Sequence, residues 1–202
     1  KLPLGIAQVG KSFRNEIAPR QSLLRLREFY QAEIEVFCNP SKLSDVEKFE
    51  EIADVTIRVQ TDSDPVAMTC KEAVESGIIP NKFVAYYLGI LTEFYEKTGI
   101  DITKSRFRKL GDKEKAFYAE VAFDFEVETT IGWLELVACN YRSDYDLTSH
   151  AKKSKEKFEI MDGDDKVLPH VFEISMGIDR SLYTILEHSL KDDKEHERIV
   201  LS

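Results

Sequence analysis

The chain has 202 residues, 43% hydrophobic and 32% charged, with a net charge of −9. That length supports one substantial core, and the balance is that of an ordinary globular domain. The acidic charge argues against strong sequence-independent nucleic-acid binding, which depends on excess Lys and Arg. No apolar run approaches a membrane span and no signal-peptide pattern is present, so no membrane role is expected. Cys38, Cys70 and Cys139 are odd in number and widely spaced, and the four histidines show no metal-ligand spacing. Neither a zinc site nor a disulfide framework is indicated, and a reducing cytoplasm fits. The chain opens on Lys1 rather than Met and enters a strand pattern almost at once, as an internal piece of a longer protein would.

The first informative stretch is FRNEIAPRQSLLRLREFYQAE, residues 13–33. Residues two apart share a face of a strand, so Arg14 and Glu16 project together from one strand. From a second strand beginning at Leu24, Arg25, Arg27, Phe29, Gln31 and Glu33 project together. Leu24, Leu26, Tyr30, Ala32, Ile34 and Val36 fill the opposite, apolar face. Paired across 17–23, the two strands gather guanidinium groups, an aromatic ring and carboxylates on one face. Arg suits phosphate, an aromatic plane suits a base and a carboxylate suits an ammonium group. A solvated charged face of an antiparallel hairpin is the competing reading.

Further along, Pro40-Ser41 marks a break, Ser44–Lys48 can open a short helix, and Asp54–Val59 alternates as a strand. Asp62–Pro65 is turn chemistry. Val66–Glu75 reads as a helix stopped by Gly77 and Pro80. Asn81 is an N-cap for a core helix over Lys82–Lys97, with Gly99 as its stop. Tyr118–Glu128 alternates as a half-buried strand with Glu120, Asp124, Glu126 and Glu128 on the open face. A turn at Thr129–Ile131 leads to a strand over Gly132–Asn140. There Trp133, Glu135, Val137 and Cys139 share a face, and a carboxylate among apolar neighbours needs a cation or donor. Ser143 is an N-cap candidate for a short helix, and His150 reads as a hydrogen-bonded structural histidine. Residues 152–166 are polar, with a turn at Asp162–Asp165. A strand then carries Val171, Glu173 and Ser175 on one face, and Gly177 joins it to a helix over Ile178–Leu190. Arg180 falls in that helix's first turn, where a cation opposes the macrodipole unless an anion sits there. It is a phosphate-binding candidate, with a surface ion pair as the alternative.

The order FRNE, PR, R-x-REF, AEIE resembles motif 2 of the class II aminoacyl-tRNA synthetases in the form found in glycyl-tRNA synthetases. E-x-S-x-G-x-x-R over residues 173–180 resembles their motif 3. GWLE, RSDYDLTSH, SRFRKLGDKEKAFYAE and AVESGIIPNKFVAYYLGILTEFYEKTGID are similar to the segments between. The resemblance implies an α+β fold, a class II antiparallel β-sheet flanked by helices. It implies that residues 1–202 are one catalytic core, motif 2 to motif 3, with a helical segment at about 41–100 interrupting the sheet. Motif 1 and the anticodon-binding domain are absent, and residues 196–202 resemble the junction into that domain.

The function implied is glycine–tRNA ligation: ATP-dependent activation of glycine, then transfer to the acceptor end of tRNA(Gly), in a cytoplasmic enzyme that is a homodimer when intact. Arg14 would hold the α-phosphate of ATP and the glycine carboxylate, and Arg180 the γ-phosphate, these two being the catalytic pair. Asn15, Glu16, Arg25, Leu26, Phe29, Glu135 and Leu136 complete the ATP site, with Phe29 on adenine and Glu135 at Mg2+. Glu33, Glu173 and Ser175 would receive glycine, Arg20 would face tRNA, and Arg142 is a substrate-side candidate. Two departures stand out: Val121 replaces an Asp, and Asp179 replaces a small residue and could pair with Arg180. The long insertion common near 152–168 is very short here. A non-catalytic nucleotide- or RNA-binding regulatory module of the same fold is the alternative.

Overall fold

A computed structural model describes residues 1–19, 24–193 and 198–201. The elements, in order, are β1 (Leu4–Phe13), β2 (Glu28–Cys38), β3 (Thr56–Gln60), β4 (Val66–Thr69), α1 (Cys70–Glu75), α2 (Lys82–Lys97), β5 (Ser105–Lys109), β6 (Val121–Thr129), β7 (Gly132–Ser143), α3 (Tyr145–Ser154), β8 (Ile160–Asp162), β9 (Asp165–Val167), β10 (His170–Gly177), α4 (Ile178–Ser189), β11 (Leu190–Asp193) and β12 (Arg198–Leu201). Eight strands form one sheet in the order β1-β2-β10-β7-β6-β5-β3-β4; β8-β9 and β11-β12 are separate hairpins. Every pairing is antiparallel except β3 with β5. This is the α+β class expected from the sequence.

Two cross-strand rows explain how the sheet divides its labour. One runs Ile34, Ile174, Cys139 and Phe123 through β2, β10, β7 and β6; the last three belong to the core and Ile34 packs against it. The next runs Gln8, Glu33, Ser175, Ala138, Asp124 and Arg108 from β1 to β5 on the opposite face. The apolar face packs against α2, where Val84, Leu88, Leu91 and Tyr95 are buried. At about 2 kcal/mol for each large side chain removed from water, those four contribute more than the intrinsic helix preference of the segment. Asn81 Oδ1 accepts from Val84 N at 2.9 Å and caps the helix. The Tyr95 hydroxyl and Ser181 Oγ, 2.8 Å apart, tie α2 to α4. The polar row is therefore left free to form a site.

Several expectations are corrected. Residues 66–75 are a strand and then a helix, and Thr69 and Glu72 form a capping box between them. The segment at about 41–100 is not only helical, because β3 and β4 extend the sheet. β6 is buried on both sides rather than half-buried, since Arg106 and Arg108 cover Asp124 and Glu126. The second hairpin strand begins at Glu28, not Leu24. α3 starts after Asp144 rather than Ser143, which instead adopts a left-handed φ of 51° and donates to Glu120. His150 is exposed, and among the described residues its ring has an edge contact with Phe158 and no hydrogen bond. Among the described residues, no helix is long and apolar enough to cross a membrane. The three cysteines are buried and free, and burial pushes the Cys38 and Cys70 thiols up to about 12.

Candidate active site

A cavity of about 290 Å³ opens where β2, β7 and β10 meet the start of α4. Arg14, just past β1, keeps the hairpin alignment, its N–H donating to the Arg27 carbonyl at 2.9 Å. Its guanidinium lies 5.6 Å from the Phe29 ring centre and makes no ion pair among the described residues. Glu16 and Arg25 pair at 3.0 Å, and this bond holds the Glu16 carboxyl below its ordinary range. Arg25, Leu26, Phe29 and Gln31 all line the cavity. A regular strand could not put Arg25 and Leu26 on one side, but the chain is irregular until Glu28.

The opposite wall is Arg180. Its Nε donates to the Leu24 carbonyl at 3.1 Å and its Nη1 to the Glu135 carbonyl at 2.9 Å, with the Glu135 carboxylate 3.6 Å away. These contacts fix a cation at the N-terminus of α4. Asp179 does not pair with it as expected; its carboxylate accepts from Tyr30 N at 2.8 Å and anchors α4 to β2. Gly177, at the strand–helix junction, leaves room for the Arg180 side chain, which lies 3.5 Å from where a Cβ would sit.

Glu135 reaches the cavity by a route the alternation pattern did not show. β7 has an extra residue at Leu136: Phe125 faces Val137 but Glu126 faces Glu135. Such a bulge reverses the side-chain sense beyond it. Glu135 therefore does not share a face with Val137 and Cys139. Its side chain is 45% exposed beside Arg180, while Leu136 and Val137 are buried. Burial and the nearby Glu135 push the Asp124 carboxyl up to about 6.

At the inner end, Gln31 Nε2 donates to Glu33 at 2.9 Å and to Ser175 Oγ, and Gln8 donates to Glu33 at 3.0 Å. One strand pair further on, Glu173 accepts from Asn140 at 2.9 Å and from Arg142 at 3.0 Å. Arg14, Glu16, Arg25, Leu26, Phe29, Glu135, Leu136, Ser175 and Arg180 are thus gathered on one cavity. Glu33 and Glu173 stand just beyond its lining, Asn15 is exposed away from it, and Arg20 lies outside the described residues. Sequence reasoning placed Gln31 on the right face without giving it a role. It missed Tyr30 and Ala138, which line the cavity but carry no chemical signature. No group of three metal-ligating side chains occurs among the described residues.

Residues 1–189 match the family of the tRNA synthetase class II core domain (G, H, P, S and T). The chain is 36% identical to the glycine–tRNA ligase of Methanococcus maripaludis, over 99% of this chain and 38% of that protein. It is 42% identical to glycine–tRNA ligase 1, mitochondrial, of Saccharomyces cerevisiae, over 79% of this chain and 24% of that protein. The chain thus spans well under half the length of these relatives. The fold is also similar to that of Giardia lamblia prolyl-tRNA synthetase in complex with prolyl-adenylate, at a TM-score of 0.57 and 14% identity, over 92% of this chain and 29% of the other. With motif-bearing strands, sheet and cavity all agreeing, the chain belongs to the class II tRNA synthetase core-domain family.

Proposed function

We propose that this chain carries the glycine-activating site of a glycine–tRNA ligase. The observation that carries the reading is the pairing of two cations, Arg14 and the hydrogen-bonded Arg180, on facing walls with an ammonium-type site, Glu33 and Ser175, at the inner end. A site for phosphates alone has no use for the inner carboxylate. ATP lies with its adenine on Phe29, its α-phosphate at Arg14 and its γ-phosphate at Arg180. Glu33, Ser175 and Glu173 receive glycine. The names of the relatives support the choice of amino acid.

The chemistry needs no protein nucleophile. A glycine carboxylate oxygen, already ionised at pH 7, attacks the α-phosphorus. The bond from that phosphorus to the bridging oxygen breaks, and pyrophosphate leaves with the electron pair. Arg14 stabilises charge on the α-phosphoryl oxygens, and both cations hold the reacting atoms in line. Transfer of the glycyl group to a tRNA terminal hydroxyl follows. Glu135 fits magnesium only as a single carboxylate beside phosphate oxygens, an arrangement Mg2+ accepts. When bound, the ion would neutralise phosphate charge. A homodimer and a cytoplasmic location follow from the same reading.

The test is calorimetric titration of the chain with ATP and with glycyl-sulfamoyl-adenosine, a stable mimic of the adenylate, alongside glycine-dependent ATP–pyrophosphate exchange. Binding of the mimic well above that of its alanyl and prolyl counterparts is expected. ATP binding with no preference among the three mimics would replace the reading with a nucleotide-binding module.

A further inference from the structure

Arg142 was a candidate for touching substrate, but its surroundings assign it a different task. β7 has a second irregularity at this residue: Phe172 of β10 faces Tyr141, while Val171 faces Ser143, so Arg142 is the extra residue. The next residue, Ser143, takes a left-handed φ of 51°. A non-glycine residue holds that conformation only where its surroundings enforce it. Asp146, in the first turn of α3, grips Arg142 with two bonds, Nε at 2.6 Å and Nη2 at 2.7 Å. The guanidinium lies 4.0 Å from the Tyr118 ring centre. Its remaining edge, Nη1, reaches Glu173 at 3.0 Å. Held on one edge by a fork, on one face by a ring and at its tip by Glu173, Arg142 cannot swing to a ligand.

The second feature is Glu35. It faces Glu173 across β2 and β10, one pair beyond Glu33 and Ser175, and is half-buried without a hydrogen bond among the described residues. Four charged groups act on it: Glu173, Glu33 and Asp146 disfavour its ionisation, and Arg142 favours it. Burial, then Glu173, push its carboxyl up to about 7. One cation thus serves a group of carboxylates, and the cation is bonded to Glu173.

We propose that Arg142, clamped by Asp146 and Tyr118, is a positioning residue that holds the Glu173 carboxylate aimed at the substrate ammonium. This rests on the glycine-activation reading and deepens it. Without the clamp, Glu173 loses its ionic partner and Glu35 loses the cation that favours its ionisation. The arriving ammonium then meets a less firmly held Glu173 and displaces more proton from Glu35.

The experiment titrates glycyl-sulfamoyl-adenosine, its acetyl counterpart lacking the amino group, and ATP into the chain and its Arg142→Gln and Asp146→Asn variants. Each titration is run at pH 6, 7 and 8 in two buffers of different ionisation heat, with thermal melting of each protein as control. Expected at pH 7 is a loss of about tenfold or more for the glycyl mimic, the scale of a charged hydrogen bond. ATP and the acetyl mimic should stay within about twofold of the unaltered chain. The glycyl mimic should also release more protons on binding to Arg142→Gln, and its affinity should climb more steeply from pH 6 to 8. Variants that bind all three ligands normally, with unchanged proton release, overturn the clamp and leave the functional reading standing. Equal loss of all three ligands marks a purely structural role and overturns it too. If the unaltered chain does not distinguish the glycyl from the acetyl mimic, the functional reading falls and the clamp with it.

Discussion

Replacing Arg14 with Ala separates the site from the fold more cleanly than any other substitution here. The guanidinium is exposed, has no ion pair among the described residues and touches only the Phe29 ring, at 5.6 Å. An exposed cation–π contact is worth about 0.5–1 kcal/mol. For a chain of this size that is a melting shift of roughly 1–4 °C. In the site, Arg14 can give two charge-assisted bonds to an α-phosphate, each worth about 1.5–3 kcal/mol. Loss of both costs about 3–6 kcal/mol, or roughly a hundredfold to ten-thousandfold in affinity. Arg14→Lys keeps a point charge but not the fork and should recover part of that loss. The assay is calorimetry with glycyl-sulfamoyl-adenosine, with melting as control. A fall of less than threefold in Arg14→Ala would falsify the assignment of Arg14 to the reacting phosphate.

Three further outcomes follow from the structure. Asp162 is buried, and Asn39, Lys42 and the Leu2 N–H hold its carboxyl well below the ordinary range. A lowered folded-state pKa gives stability that is present above the unfolded value of about 3.9 and lost as pH falls through the folded value. Asp162→Asn should therefore lower the melting temperature at pH 7 and much less at pH 2; an equal effect at both would refute it. Glu35 has the opposite sign: its folded-state value, about 7, lies above the ordinary glutamate value of about 4.3, so its burial costs stability as pH rises between the two. Glu35→Gln should raise the melting temperature at pH 8 and leave it nearly unchanged at pH 4, and a gain confined to low pH would refute this. A Cβ at Gly89 would come 3.0 Å from Cys70 Sγ and 3.2 Å from Ile52 Cδ1, both enclosed. Crowding of about 1–3 kcal/mol outweighs the helix gain of up to about 1 kcal/mol, so Gly89→Ala should lower the denaturant midpoint rather than raise it.

What was legible in the sequence was mostly periodic. The helix over Lys82–Lys97 could be read to the residue, because Asn81, the apolar spacing and Gly99 all point to the same limits. Arg14, Phe29, Ser175 and Arg180 are singled out by the resemblance to motifs 2 and 3, and all four line the cavity. The failures have physical causes. Val66–Thr69 looks helical, but its backbone pairs with β3, and no local pattern reveals a sheet edge contributed from another part of the chain. Asp124 and Glu126 look like an open acidic face. They are covered by Arg106 and Arg108 on β5, and a strand cannot announce what its neighbour supplies.

The two irregularities of β7 show why the site was harder to read than the fold. Strict alternation puts Glu135 on the core side, where its charge would need rescue. The extra residue at Leu136 turns Glu135 outward and leaves its carbonyl free for Arg180. The extra residue at Arg142 presents that guanidinium to Glu173 and Asp146. Between the two, the regular run carries Ala138, a small floor beside Ser175, and Asn140, a donor to Glu173. A strand in perfect register would present residues at alternate positions only, whereas bulges re-aim them one by one. On the proposed reading, the strand departs from regularity where charge must be delivered, at the phosphate end and at the ammonium end, and it stays regular where the substrate needs only room.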